Sequence, residues 1–216
     1  RYNHLEVINM TTAQFLTNLE TPTGIVDVVL DTDTYNEIDD QFALSYLIRS
    51  PERINVKGFC AAPFFNANSS SPEDGMEKSY DEIHNLLRLA GREDLLPLVY
   101  RGSRRYLPDE QTPVPSEAAD FLARLTEDYS PERPLYIVAI GAITNVASAL
   151  LQNPGMKEKV VLVWLGGHAH HWNHTAEFNM MQDVAAARIV FGCGVPLIQL
   201  PCGGVVDRFT VSRWEL

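Results

Sequence analysis

The chain has 216 residues, 45% apolar and 21% charged, a balance that suits one globular domain with a full core and excludes a disordered or low-complexity chain. Its 17 basic and 28 acidic residues leave a net charge of −11, the wrong sign for gripping a phosphate backbone, and Arg101, Arg104 and Arg105 are too few to reverse it. No apolar run approaches the roughly 18 residues of a membrane span, so neither nucleic acid nor membrane is an expected partner.

Residues 1–23 read as an irregular lead-in, without the basic, apolar and small-residue order of a secretory signal. Residues 24–32 are Val-rich and end in polar residues, as a buried strand does. A helix is predicted from Asp39 to Ser50, stopped before Pro51, then a strand over 54–62 and a polar loop over 63–71. A long helix over 72–90 closes at Gly91. Strands over 96–100, 135–141, 160–167 and 195–201 then alternate with helices over 116–129, 144–153 and 182–192. This rhythm predicts a single α/β domain, a doubly wound, mostly parallel sheet with helices on both faces and a Rossmann-like core. Such sheets bind ligands beyond the carboxyl ends of their strands. Cys60, Cys193 and Cys202 are odd in number and lack CxxC spacing, which fits reduced core thiols of a cytoplasmic protein.

The first strand ends in a crowd of acids: Asp31, Asp33, Glu37, Asp39 and Asp40 lie within ten residues. A helix cap accounts for one or two carboxylates, Asp39 or Asp40. It does not account for Asp31 and Asp33 at the end of a buried strand. Converging carboxylates repel unless a cation neutralises them, and calcium tolerates an irregular oxygen-lined loop better than magnesium. An EF-hand is excluded, because its sixth and twelfth positions would hold Asn36 and Phe42. A haloacid-dehalogenase-like magnesium phosphatase is an alternative, with Asp31 as phosphoryl acceptor and Asp33 as acid/base. The later strand ends, however, supply no acidic pair for its metal.

Four segments in order resemble the nucleoside hydrolases, which cleave the bond between ribose and base. Residues 30–44 (LDTDTYNEIDDQFAL) resemble that family's Asp-x-Asp-Pro-Gly-x-Asp-Asp opening. Residues 138–154 (VAIGAITNVASALLQNP) resemble its strand, Gly-x-x-Thr-Asn and helix. Residues 162–167 (LVWLGG) resemble its strand with a glycine pair, and residues 176–190 (AEFNMMQDVAAARIV) its Ala-Glu-Phe-Asn segment. The similarity spans residues 25–201.

The resemblance implies a calcium-dependent enzyme that hydrolyses ribonucleosides to ribose and free base. It implies that Asp33 and Asp40 bind calcium, Asp40 through both oxygens, and that Ile140 adds its main-chain carbonyl. Asp33 would also act as general base toward a calcium-bound water. Asp39, Glu177 and Asn179 would hold ribose hydroxyls, and Asn173 likewise, at a shorter spacing from Glu177 than the family shows. His168 and His170, in a loop that also carries His171, Trp172 and His174, are candidates for contact with the base or for its protonation. After the second strand, Phe64 and Phe65 are candidates to stack on a base and Asn66 to reach the ribose. Each has a plainer role available: Glu177 and Asn179 satisfying loop amides, Asp183 capping the next helix, Asn145 capping or packing its own. A ribonucleoside and further copies of the chain are the expected partners.

The sequence departs from the family in two places. Five residues, 34–38, separate Asp33 from Asp39 where the family has three, and Tyr35, Asn36 or Glu37 is expected to enter the pocket. The family also continues into a segment with another calcium-binding aspartate, preceded by a histidine. Nothing after Pro201 fills that role, Asp207 being the only late aspartate. The expectation is a fragment or short form, with a non-catalytic riboside- or cation-binding chain as a third reading.

Overall fold

Among the described residues six strands form in chain order: β1 (Val26–Thr32), β2 (Ile54–Ala61), β3 (Val99–Tyr100), β4 (Leu135–Ala139), β5 (Val160–Leu165) and β6 (Leu197–Leu200). The computed structural model describes residues 10–214. The strands make one sheet in the order β3-β2-β1-β4-β5-β6, every neighbouring pair parallel. Seven α-helices accompany them among the described residues: α1 (Thr12–Asn18), α2 (Ile38–Ile48), α3 (Pro72–Leu89), α4 (Glu117–Leu125), α5 (Thr144–Gln152), α6 (Phe178–Gln182) and α7 (Val184–Gly192).

Side chains alternate across the sheet, so β1 feeds two cores. Val28 and Leu30 pack with Phe59 under α2 and α3, against Leu44, Leu47, Met76, Ile83 and Leu87. Val29 packs on the other face with Ile137 and Leu162 under α4, α5 and α7, against Leu122, Val146 and Val190. Each fully buried side chain such as Leu44 or Leu122 contributes about 2 kcal/mol. Helix α3 starts cleanly because Ser71 accepts the amide of Asp74 at 3.1 Å and Pro72 occupies its first position.

Several boundaries differ from the sequence reading. Part of the predicted irregular lead-in is α1, capped by Thr11 and tied to the body by Asn18 donating to the Pro131 carbonyl; residues 1–9 of that lead-in lie outside the described residues. The strand predicted over 96–100 shrinks to Val99–Tyr100, because Glu93–Leu98 wind into a 3-10 turn containing Pro97. The helix predicted over 182–192 breaks at Asp183, whose extended backbone ends α6 and whose carboxylate caps α7 by accepting Ala186 N–H at 2.9 Å. All three cysteines are free thiols, yet only Cys60 is a core residue. No helix among the described residues is long and apolar enough to cross a membrane.

The connection from β1 runs to the α2/α3 layer, while that from β4 runs to α5 in the opposite layer. Strand order therefore reverses between β1 and β4, and sheets of this kind have their ligand crevice at such a point, beyond the carboxyl ends of the strands.

Candidate active site

The crevice stands on a buried polar foundation. Asp31 is fully buried between Cys60 of β2 and Ala139 of β4. Its Oδ1 accepts from Asn145 Nδ2 at 2.8 Å, while no group among the described residues meets its Oδ2. The same Asn145 amide donates to the Ala61 carbonyl at 3.0 Å, and its Oδ1 accepts the Ser103 amide at 2.7 Å. A Cβ on Gly102 would lie 1.8 Å from the Ala61 oxygen, so only glycine lets the chain after β3 pass this close. Asn145 is thus no helix cap. It ties α5 to the ends of β1 and β2 and to the loop after β3.

Burial raises the Asp31 carboxyl from 3.8 to about 7, against a smaller opposing effect of Asn145. A carboxyl harder to ionise in the fold than in the unfolded chain weakens the fold as pH climbs from about 4 to about 7, by about 4 kcal/mol in full. Asp31→Asn is therefore expected to match the native chain at pH 4 in calcium-free buffer and exceed it by a few kcal/mol at pH 8. Urea midpoints at both values check this, and equal pH slopes for the two proteins would remove Asp31 as the source. With no exposed atom, Asp31 has no route to a phosphoryl group, which tells against the phosphatase alternative.

Two residues on, Asp33 sits at the mouth of the strand end, 1% exposed, and Asp40 in the first turn of α2 is 4% exposed. Asp33 Oδ2 accepts from Asn36 Nδ2 at 3.1 Å, and Asp40 Oδ1 accepts from the Thr32 hydroxyl, which also shares a 2.8 Å hydrogen bond with Thr34. These partners are neutral, and no ion pair among the described residues involves either carboxylate. Burial and then repulsion from Asp40 push the Asp33 carboxyl up; burial pushes Asp40 up, with Asp39 and Glu37 adding to it. A Cβ on Gly141 would lie 2.9 Å from Asp33 Oδ1, so the carboxylate rests against bare backbone one residue past Ile140. Trp164 Nε1 holds that backbone by donating to the Gly141 carbonyl at 3.1 Å.

The Ile140 carbonyl is steadied from the far side of the crevice. Asn179 Nδ2 donates to it at 2.9 Å and to the Leu165 carbonyl at 3.0 Å, clipping the ends of β4 and β5 together. Glu177 accepts the amides of Gly167 and Met180 through Oε2, at 2.7 and 2.9 Å, and that of Asn179 through Oε1 at 3.0 Å. Its plainer reading as a loop anchor therefore describes most of its bonding. A carboxylate has about four acceptor directions, so one on Oε1 remains, together with the Asn179 Oδ1.

The rim collects the remaining candidates. Asp39 is exposed, and the Cys202 thiol is pushed up by burial and by the negative charges of Glu177, Asp207, Glu37 and Asp39. His168 Nδ1 accepts the Gly203 amide at 3.0 Å, strapping the loop after β5 to the loop after β6. His170 and Asn173 are exposed on that loop, and nothing brings them to Asp33. Phe64 is fully buried under α3 and cannot stack on a ligand, whereas Phe65 is 54% exposed. Asn66 turns to Asn36, donating from Nδ2 to Asn36 Oδ1 at 2.6 Å. Two residues not singled out from the sequence join here: Gln182 Oε1 accepts from Tyr106 Oη at 2.6 Å and from Phe65 N–H at 2.8 Å. Burial raises the Tyr106 hydroxyl, and the charges of Asp33 and Asp183 add to this.

The family model for inosine-uridine preferring nucleoside hydrolases matches residues 28–213, which contain every candidate above. The chain belongs to that family. Pyrimidine-specific ribonucleoside hydrolase RihA of Citrobacter koseri is 29% identical where the two align, over 74% of this chain and 55% of that one. RihA of Escherichia coli O1:K1 is 27% identical, over 79% and 58%. Among solved structures, the purine-preferring ribonucleoside hydrolase from Gardnerella vaginalis superposes with a TM-score of 0.64 at 25% identity, covering 80% of this chain and 60% of its own. A plant nucleoside hydrolase, PpNRh1, has the same fold, with a TM-score of 0.63 at 24% identity, covering 82% and 59%. This nucleoside hydrolase family member thus spans a little over half the length of the curated relatives it matches.

Whether the nucleoside hydrolase site suits a cation is a matter of its donors. Two buried carboxylates with no basic partner among the described residues, beside the strand end that carries the Ile140 carbonyl, form an oxygen-only set that fits a hard divalent ion. Among the described residues no group of three or more His, Cys, Asp or Glu side chains is placed to hold one. Calcium takes about six to eight oxygens, so water or substrate hydroxyls would complete its shell.

Proposed function

We propose that this chain binds a ribonucleoside and a calcium ion in the β1–β4 crevice and hydrolyses the N-glycosidic bond, releasing ribose and free base. The observation that carries the reading is the Asp33–Asp40 pair: two carboxylates held out of water, repelling, and without a cationic partner among the described residues. Asp33, Asp40 and the Ile140 carbonyl would hold the ion, which when bound neutralises the pair and makes water more acidic.

The chain's own residues would do the rest. Asp33, its Oδ2 fixed by Asn36, takes a proton from the attacking water as the water oxygen bonds to the anomeric carbon. The glycosidic bond breaks with its electron pair leaving on the base, which then acquires a proton. Asp39, the remaining Glu177 lone pair and Asn179 Oδ1 accept from ribose hydroxyls, and their negative character steadies the positive charge that grows on the sugar ring. Phe65, whose ring is exposed, would stack on the base. Its free thiols fit a reducing compartment such as the cytoplasm. Ile38, Phe42 and Tyr46, four residues apart and exposed on α2, support association with further copies.

The test is calorimetric titration with calcium, followed by an assay of free base from inosine and from uridine, with and without a chelator. Calcium heat together with chelator-sensitive release from either nucleoside is expected. The absence of both would sink the reading. Calcium and ribose binding without release from any nucleoside would instead favour a non-catalytic binding chain.

A further inference from the structure

The loop with two extra residues places Asn36 where its side chain has no choice of direction. Asn36 N–H donates to the Asp33 carbonyl at 2.7 Å, a tight turn that folds the amide back over Asp33. Asn36 Nδ2 meets Asp33 Oδ2 at 3.1 Å, and a carboxylate accepts only, so Asn36 Oδ1 must face away. It faces Asn66 Nδ2 at 2.6 Å. Asn66 Oδ1 in turn accepts Asn68 N–H at 2.8 Å, and Asn68 Nδ2 returns to the Asn36 carbonyl at 3.1 Å. Asn36 is 8% exposed, so water does not readily replace these bonds.

We infer that Asn36 is a positioning residue that fixes the orientation of the Asp33 carboxylate and couples it, through Asn66, to the loop between β2 and α3. The inference rests on the proposal that Asp33 holds a cation. A neutral amide suits the task, because it steadies one carboxylate oxygen without the positive charge of a lysine that would compete with the ion. The coupled loop also carries Phe65, whose amide is bound to Gln182. Ordering of that loop over a ligand is therefore transmitted to Asp33 through two side-chain amides. Partners of this kind, which touch a metal ligand but not the metal, typically change affinity by roughly 10–100-fold when removed.

The experiment uses this chain and calcium alone, read by titration calorimetry and by the rise in melting temperature that calcium produces. Asn36→Ala is expected to weaken calcium binding at least about tenfold and to shrink that rise. Asn66→Ala, which touches no proposed ion ligand, is expected to weaken it less. The double variant should bind no more weakly than Asn36→Ala, since both act along one path. A merely structural role would lower the calcium-free melting temperature and leave the calcium affinity alone. Unchanged affinity in Asn36→Ala, or additive losses in the double variant, overturns the coupling while leaving the ion site standing. A native chain that binds no calcium overturns both.

Discussion

Asp33→Asn is expected to slow base release from a ribonucleoside by roughly 10²–10⁴-fold, the usual worth of a placed general base, and to abolish the calcium-induced rise in melting temperature. The same substitution should leave the calcium-free chain as stable as before or more so. It removes one of two buried carboxylates that repel one another, and an asparagine can still accept from Asn36. Loss of function with gain of stability is the sign of a site built against the interests of the fold. Asp40→Asn should show the same pair of effects, although its hydrogen bond from Thr32 must survive the change. Steady-state rates with inosine and uridine and melting curves with and without calcium check both variants. Turnover of Asp33→Asn within tenfold of the native chain would rule it out as the base.

Asn145→Ala should have the largest effect on stability, about 3–5 kcal/mol, with a fall in melting temperature of about 10 °C. One fully buried amide serves Asp31, the Ala61 carbonyl and the Ser103 amide, and alanine would strand all three away from water. Asp31 already has one oxygen without a partner, so it has no spare contact to fall back on. Thermal and urea unfolding of the variant at pH 8 measure the cost. A loss under about 1 kcal/mol would mean that water or a local shift replaces the amide.

The order of elements was legible in the sequence because strand and helix periods alternate without ambiguity from β1 to β6. The boundaries that moved did so for local reasons. Pro97 lies in a 3-10 turn before β3, and the helix read from Gln182 starts at Val184, because Asp183 caps it, the role its position in the sequence suggested. At the site, the crowding of Asp31, Asp33, Asp39 and Asp40 was legible, yet spacing did not separate their fates. Asp31 went under the sheet end, Asp33 and Asp40 went to the crevice and Asp39 to the rim. Asn36 was recognisable only as part of an extra-long loop. Tyr106 and Gln182 had no signal at all, since nothing in a lone tyrosine and a lone glutamine 76 residues apart announces that they meet. Phe64 and Phe65 are adjacent and chemically alike, and only the packing of α3 decides which is core and which is free.

Asp40, a proposed cation ligand, and Asn179, a proposed sugar-holding residue, approach the crevice from different layers. Asp40 rides on α2 beneath one face, and Asn179 opens α6 on the β4–β5 side, with the edge of the sheet between them. The distance between the two side chains therefore follows from how α2 and α6 are seated on opposite faces of the sheet, much as the gap of a pair of jaws is set by the rivet. A shortened side chain deep in either helical layer, far from any reacting atom, would then register first as a misaligned nucleophile and only later as a loss of folding.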